Sequence, residues 1–452
     1  MRDDLRAERR AEVGYPPGET SFSMKRTNAF MTRPLELLLD AYGRFGPIFT
    51  MRVFHHNVVF MLGPEANHFM LVSNADKFNW RDGHMRDLIP LLGDGLLTTD
   101  GTYHRVHRKM MLPTFHSERI RASTATMEDE IRRAVDGLQA GQALDLYEWT
   151  KMVALRVAMR ALFGLDPDRA QGDDLDAARE FETALSFHAH SVPGQLARGP
   201  GSAYSRLIKA RKRLDQLIYA EIDRRRESGE RGDDILSLLL DTRDEDGDPL
   251  PSEQIRDEMM TLLFAGHDTT ASTITFLFYE LALQPEILDS PGVTAEMLRE
   301  ETLRKYPPAW VGPRRTNEQF EFGGYSVPAG AHCQYSSWIS HHLPDVWTDP
   351  ARFDPYRFTS EGMAGMRKGQ YVPFGGGSRT CIGMRFGEAE IAVFIRLMLE
   401  RFRFELATSY ELEIRTAPTI SPRRGMPMTV RSAEPAAVLA NTERPESTPA
   451  GV

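Results

Sequence analysis

One long helix sets the scale of this chain. Ser252 reads as its capping residue, Glu253 opens it, and helix-compatible apolar sequence continues until Pro285. Roughly 30 residues at about 1.5 Å each make a rod of about 45 Å, enough to cross a whole domain, so the remaining sequence has to pack around it. The middle of the rod reads Phe264-Ala-Gly-His-Asp-Thr-Thr270. A glycine, an acid and two threonines in an otherwise apolar helix lower helix propensity and bury polar groups. Taken by themselves these residues read as a kink whose hydroxyls bond back to helix carbonyls.

The second constraint is Tyr371-Val-Pro-Phe-Gly-Gly-Gly-Ser-Arg-Thr-Cys-Ile-Gly383. Its glycines permit positive φ and close approach of backbone to something flat and bulky. From Met384 to Phe402 apolar residues recur at helical spacing, which puts Cys381 at a helix N-terminus, where the dipole and free N–H groups favour a thiolate. Such a sulfur is a nucleophile or a metal ligand, and a buried structural cysteine is the plainer alternative. The wording F-x-x-G-x-R-x-C-x-G, carried by Phe374, Gly377, Arg379, Cys381 and Gly383, resembles the haem-binding loop of the cytochrome P-450 family, whose cysteine thiolate is the axial ligand of haem b. The resemblance runs from about Pro16 to about Thr429.

Composition agrees with a soluble globular chain. Of 452 residues 41% are hydrophobic and 26% charged, and the formal charge of -9 argues against a general nucleic-acid footprint. Cys333 and Cys381 are the two cysteines, too few for a disulfide framework and fitting a reducing compartment. The first 30 residues hold no apolar run long enough for a signal peptide or a membrane span, so a cytoplasmic protein is expected. The implied fold is the family's: mainly α with small β-sheets, a single large helical domain with a smaller β-rich region. Residues 16–431 are expected to form it, with 1–15 flexible and 432–452, rich in Pro, Glu, Ser, Thr and Ala, disordered.

From Pro34 to Phe69 the pattern is a helix (RPLELLLDAYGRFG), then two short strands (PIFTMRVF and NVVFML) around a turn at His55 and His56, then a helix from Pro64. The irregular stretch from Lys77 to Leu97 is a surface loop by composition and a substrate-contacting loop by resemblance. The glycine-rich break from His188 to Gly201 is a flexible loop or, by resemblance, a lid. The acidic run Asp241 to Pro249 imitates a calcium loop at Asp244, Asp246, Gly247 and Glu253, but Thr242 stands at its first ligand position, so it reads as a solvated loop.

The resemblance assigns further residues one by one. Ala265 and Gly266 line an oxygen-binding groove with Asp268 and Thr269 handling protons, while His267 takes the variable position. His104 and Arg108, at i and i+4 on one helix face, together with Arg314 and Arg379 match donors to the haem propionates, Arg315 being the rival of Arg314; an ordinary amphipathic helix explains the first two equally well. Glu301 and Arg304 form either a surface ion pair or, as in the family, a buried structural pair completed by Arg357. Trp80, Phe264, Ala309 and Trp310 are the expected substrate contacts.

Together these imply a monooxygenase that inserts one atom of dioxygen into an apolar substrate. The alternatives are another haem-thiolate reaction (peroxygenase, isomerase, dehydratase) and a non-catalytic haem sensor or carrier. No nucleotide-binding glycine pattern or iron–sulfur cysteine cluster is present, so electrons are expected from a separate ferredoxin or flavodoxin with its reductase, docking near Arg108, Lys109 and Arg385.

Overall fold

The computed structural model describes residues 8, 11–83, 85–165, 180, 181, 183, 184, 187, 197–243 and 247–440. Most of the expected lid loop, and Asp244 and Asp246 of the acidic loop, lie outside these residues.

The helices that build the site are α1 (Pro34–Phe45), α2 (Gly101–Met111), α3 (Ser117–Asp136), α4 (Leu146–Val157), α5 (Ala203–Ser228), α6 (Ser252–Leu283), α7 (Ala295–Lys305) and α8 (Met384–Leu399). Helix α6 is the 32-residue rod anticipated above. Met259, Leu263, Ile274 and Leu277 are buried around its circumference, as expected of a helix apolar on every side and enclosed by others. Helices α4, α5, α7 and α8 pack against it. Its start differs from the expectation by one residue: Pro251 is the cap and Ser252 the first helical residue. The Ser252 oxygen accepts a 2.6 Å hydrogen bond from Arg226 of α5 and so does not cap. Helix α8 likewise stops at Leu399, because Phe402 already belongs to a strand.

The largest sheet has six strands: β1 (Gly18–Glu19), β2 (Ile48–Val53), β3 (His56–Met61), β4 (Phe78–Asn79), β6 (Gly312–Thr316) and β9 (His332–Tyr335), in the order β1-β2-β3-β9-β6-β4. Strands β2 and β3 form an antiparallel hairpin with Ile48 opposite Met61. Strand β9 runs parallel to β3 and antiparallel to β6, setting Cys333 opposite Arg314. A second sheet joins β5 (Ala143–Asp145), β10 (Phe402–Leu406) and β13 (Pro427–Ser432), and two small hairpins are formed by β7 (Phe320–Phe322) with β8 (Tyr325–Val327) and by β11 (Ile414–Arg415) with β12 (Ser421–Pro422). Beyond β13 the chain does not become disordered at residue 432: Ala433 and Ala436 donate to the carbonyls of Arg401 and Leu399, and Val438 is buried in the main core. Apolar Val438 and Leu439 hold down a stretch whose Pro and Glu content suggested otherwise. No helix among the described residues is long and apolar enough to cross a membrane.

Candidate functional site

The cysteine loop is held mainly by its own backbone. Gly375 N–H donates to the Val372 carbonyl (3.1 Å), and Cys381 N–H donates to the Phe374 carbonyl (2.9 Å). Gly377 has φ +61°, and a Cβ there would lie 2.1 Å from the Leu71 carbonyl oxygen, so glycine is required both for conformation and for space. Cys381 precedes α8, with Gly383 as the cap. Its surface is exposed, yet burial raises its thiol pKa, opposed by the Gly383 N–H and then by Arg108. The residue as a whole is exposed, while the protein packed round the thiol opposes its ionisation. The expected helix-terminus preference for thiolate is therefore present but outweighed by desolvation, so the protein alone favours the thiol.

Facing outward from the middle of α6, Ala265 is exposed and Phe264, Gly266 and Thr269 are partly so, although the positions on either side of this run are buried. A Cβ added to Gly266 would meet no atom within 4 Å. The Thr269 hydroxyl donates to the Ala265 carbonyl (2.7 Å) and the Thr273 hydroxyl to that of Thr269 (2.9 Å), so the back-bonding anticipated for a kink exists within an uninterrupted helix.

Asp268, about 100° further round the helix, points into the protein. It is 4% exposed and accepts hydrogen bonds from the Tyr147 hydroxyl (2.7 Å) on one carboxylate oxygen and from the Thr419 hydroxyl on the other. Arg415 donates in turn to the Tyr147 oxygen (3.4 Å) and to Ser421 (3.1 Å). Burial, reinforced by the Asp268 charge, drives the Tyr147 pKa well up, so the phenol keeps its proton. His267 lies edge-on to Phe181, with Nδ1 3.0 Å from the Leu263 carbonyl. Thr270 faces α8, its hydroxyl 3.4 Å from one oxygen of the buried Glu390, whose other oxygen has no partner among the described residues.

Positive charge collects beside the cysteine loop. Arg108 donates to the Thr380 carbonyl (2.6 Å), next to Cys381. Arg379 donates to the Thr99 carbonyl (2.8 Å) and to Asp100 (2.5 Å). Arg314 is 2% exposed and lies 3.7 Å from the centre of the Trp80 ring, and its Nη2 has no acceptor within hydrogen-bond geometry among the described residues, although Tyr335 and Asp100 favour its charge. Burial lowers the pKa of all three guanidiniums, Arg379 to about 10 with Arg314 and Arg108 adding to the depression. Buried His104 is pushed to about 3, first by desolvation and then by Arg379 and Arg108, and is a neutral donor. Among the described residues three guanidiniums stand against the one Asp100 carboxylate, an excess of positive charge that suits an anionic group with two carboxylates. Arg315, on the opposite side of β6, instead donates to the Gly330 carbonyl (3.1 Å).

Behind the loop, Arg304 makes a bidentate pair with Glu301 (2.7 and 2.8 Å), both fully buried, and Arg357 approaches the same carboxylate at 3.5 Å. The structure thus brings together the three residues expected as a structural triad. Of the four expected substrate contacts it places Phe264 and the exposed Ala309 at accessible surface. The other two are corrected. Trp80 is the stacking partner of Arg314 and, at 5.2 Å, of Arg379, because its ring offers a π face to buried guanidiniums, as Tyr335 does to Arg314 at 5.4 Å. Trp310 turns into a separate core with Phe30 and Trp338, its indole N–H donating to the Thr416 carbonyl (2.8 Å). Asp100, Tyr147, Thr419 and Glu390 escaped sequence reasoning; only Asp100, just ahead of a helical pattern, carries a local signal.

A fold of this topology with a cysteine loop and a polar mid-helix face defines a class of haem-thiolate oxygenase, and comparison agrees. The Cytochrome P450 family model matches residues 17–290 and 294–423. Cyclooctat-9-en-7-ol 5-monooxygenase of Streptomyces melanosporofaciens is 32% identical over 425 residues, covering 88% of this chain and 90% of the relative. Cyclooctatin synthase of the same organism is 31% identical over 394 residues, covering 82% and 85%. The structure of retinoic acid-bound cyanobacterial CYP120A1 superposes with a TM-score of 0.82 at 25% identity, covering 93% of this chain and all of the other. The chain belongs to the cytochrome P450 family. It is a monooxygenase that uses haem b with a cysteine axial ligand, dioxygen, an apolar substrate and a redox partner.

Proposed function

We propose that Cys381 is the axial ligand, that Arg108, Arg314, Arg379 and neutral His104 hold the haem propionates, that Phe374, Gly383, Ala265 and Gly266 line the ring, and that the substrate is a large, mainly apolar isoprenoid molecule. The unpartnered Nη2 of buried Arg314, whose Nη1 donates to the Pro313 carbonyl (2.9 Å), carries the cofactor part of this reading, because a buried charged donor left unpaired is costly unless an anion completes it. Cys381 would hold the iron as thiolate, since a bound metal favours the deprotonated sulfur that burial alone opposes. The cyclooctat-9-en-7-ol relative and the retinoic acid complex both handle isoprenoid molecules, and the accessible Phe264, Ala265 and Ala309 offer apolar surface suited to one.

Bound haem supplies dioxygen activation, with the thiolate's electron density favouring O–O cleavage. The chain's own residues manage protons. Thr269 presents a hydroxyl on the accessible face, where it can accept one hydrogen bond while donating to the Ala265 carbonyl. Asp268 holds two hydroxyl protons at its carboxylate oxygens, and release of Tyr147 or Thr419 frees one oxygen to carry a proton round the helix towards Thr269. Glu301, Arg304 and Arg357 fix the rear of the loop. The electron donor is a ferredoxin or flavodoxin with its reductase, docking at exposed Lys109 and Arg385 beside Arg108, and the protein is cytoplasmic.

The test is an absorbance titration of the ferric protein with a panel of isoprenoid and non-isoprenoid compounds, using the reduced carbon monoxide spectrum as the thiolate control. An isoprenoid that displaces the iron-bound water and moves the Soret band to higher energy supports the substrate class. A response confined to fatty acids or macrolides overturns it, and loss of the thiolate spectrum only when Cys333 is replaced overturns the ligand. Charge reversal at Lys109 and Arg385 slows reduction by the donor with substrate affinity unchanged; equal reduction rates refute the docking face.

A further inference from the structure

Between the Glu301–Arg304 pair and the cysteine loop lies one imidazole that neither motif contains. His341 is fully buried. Its Nδ1 is 3.1 Å from the Arg304 carbonyl oxygen, and its Nε2 accepts the Val372 N–H at 3.0 Å. The carbonyl of His341 in turn accepts from the Arg304 guanidinium at 2.9 Å. These partners determine the tautomer: a carbonyl can only accept, so Nδ1 carries the hydrogen, and an amide N–H can only donate, so Nε2 is the bare nitrogen. The ring stacks on Tyr371 (centroids 5.3 Å apart, 29° between planes) and meets the edge of Trp347.

Val372 begins the turn whose carbonyl holds Gly375 N–H, and one residue before Gly375 the Phe374 carbonyl holds Cys381 N–H. Two hydrogen bonds of the turn therefore connect the imidazole to the sulfur-bearing peptide. We propose that His341 is a positioning residue for the thiolate, transmitting the fixed geometry of the Glu301–Arg304 pair to the Cys381 loop through the Val372 amide. The proposal rests on the assignment of Cys381 as ligand. It concerns orientation only; the imidazole touches neither sulfur nor substrate and moves no proton.

Two substitutions separate its two bonds. In His341→Asn the side-chain amide stands where Nδ1 stood and keeps the bond to the Arg304 carbonyl, leaving the Val372 N–H without an acceptor. In His341→Gln the side-chain oxygen reaches the place of Nε2 and keeps the Val372 bond. The holoenzymes are compared at equal haem content by the thiolate-type band of the reduced carbon monoxide complex, by the reduction potential, and by hydrogen exchange at the Val372 amide. His341→Asn loses most of that band, shifts the potential and speeds Val372 exchange by about ten-fold, whereas His341→Gln stays near the wild type. Equal behaviour of the two variants in band, potential and exchange overturns the proposal.

Wild-type exchange gives a test that needs no variant. A Val372 amide as protected as those in the middle of α8 supports the link, and exchange at open-loop rates refutes it. If the wild type shows no thiolate band at all, the ligand assignment of Cys381 fails, and Val372 exchange still reads the His341 bond by itself.

Discussion

Glu390 offers the sharpest quantitative test of the packing between α6 and α8. It is 2% exposed, one carboxyl oxygen has no partner among the described residues, and the other has only the distant Thr270 hydroxyl. Burial pushes its pKa up from 4.5 to about 8, with the Thr270 bond pulling slightly the other way. The native protein therefore keeps a proton that the unfolded chain releases once the pH passes its ordinary value. Since the native state binds more protons across that window, stability is full below about pH 4.5 and falls as the pH rises through about 8. At 1.36 kcal/mol per pH unit the whole loss amounts to roughly 3–5 kcal/mol. Glu390→Gln keeps the shape and removes the titration. Urea unfolding of both proteins followed by far-UV circular dichroism from about pH 5.5 to 8.5 should give a wild-type-minus-variant difference that slopes steadily against the wild type. Other titrating groups cancel in that difference. Curves that run parallel within about 0.5 kcal/mol over this range would refute the buried, protonated carboxyl.

Three further outcomes follow from contacts already described. Glu301→Gln leaves Arg304 buried without a counter-charge and should destabilise the protein by about 3–5 kcal/mol, seen as a lower thermal midpoint and early haem loss. Gly377→Ala forces an L-residue to φ +61° against the Leu71 carbonyl and should cost about 2 kcal/mol or more, with haem retention impaired while circular dichroism remains helical. Thr269→Ala should release more peroxide per reductant consumed, with less product, while the thiolate spectrum is unchanged; fully coupled turnover would argue for a different reaction type.

The parts of the site legible in the sequence share one property: they are local. Cys381 with Arg379, Asp268 with Thr269, and Glu301 with Arg304 are each written within a few residues, where helix spacing or a tight loop dictates which side chains come together. The rod Ser252–Leu283 was readable for the same reason, since apolar positions on all sides of a long helix require enclosure. What was not readable is pairing over distance. Asp268 meets Tyr147 and Thr419 from opposite directions along the chain, 121 and 151 residues away, and Glu390 meets Thr270 across 120. No periodicity encodes such partners. Trp80 and Trp310 were misplaced because an aromatic residue in a loop has the same appearance whether it lines a substrate channel, stacks on an arginine or fills a core. Ser252 and the end of α8 show the smaller error typical of element boundaries, decided by a competing hydrogen bond and by strand pairing.

Consider finally the surplus of guanidinium beside the cysteine loop. Burial lowers the basicity of Arg108, Arg314 and Arg379, the first and second add to the depression of the third, and Asp100 is their only close carboxylate among the described residues. On the proposed assignment of these arginines, a chain assembled without a dianion carries uncompensated positive charge in its interior that two propionates would offset. Haem capture would then be part of maturation. The apparent stability of newly made protein would track free haem, rising by about 2.7 kcal/mol when haem exceeds its dissociation constant a hundred-fold. A cell short of haem would accumulate this chain as a loosened, protease-sensitive form, so its abundance would report haem supply as well as gene expression.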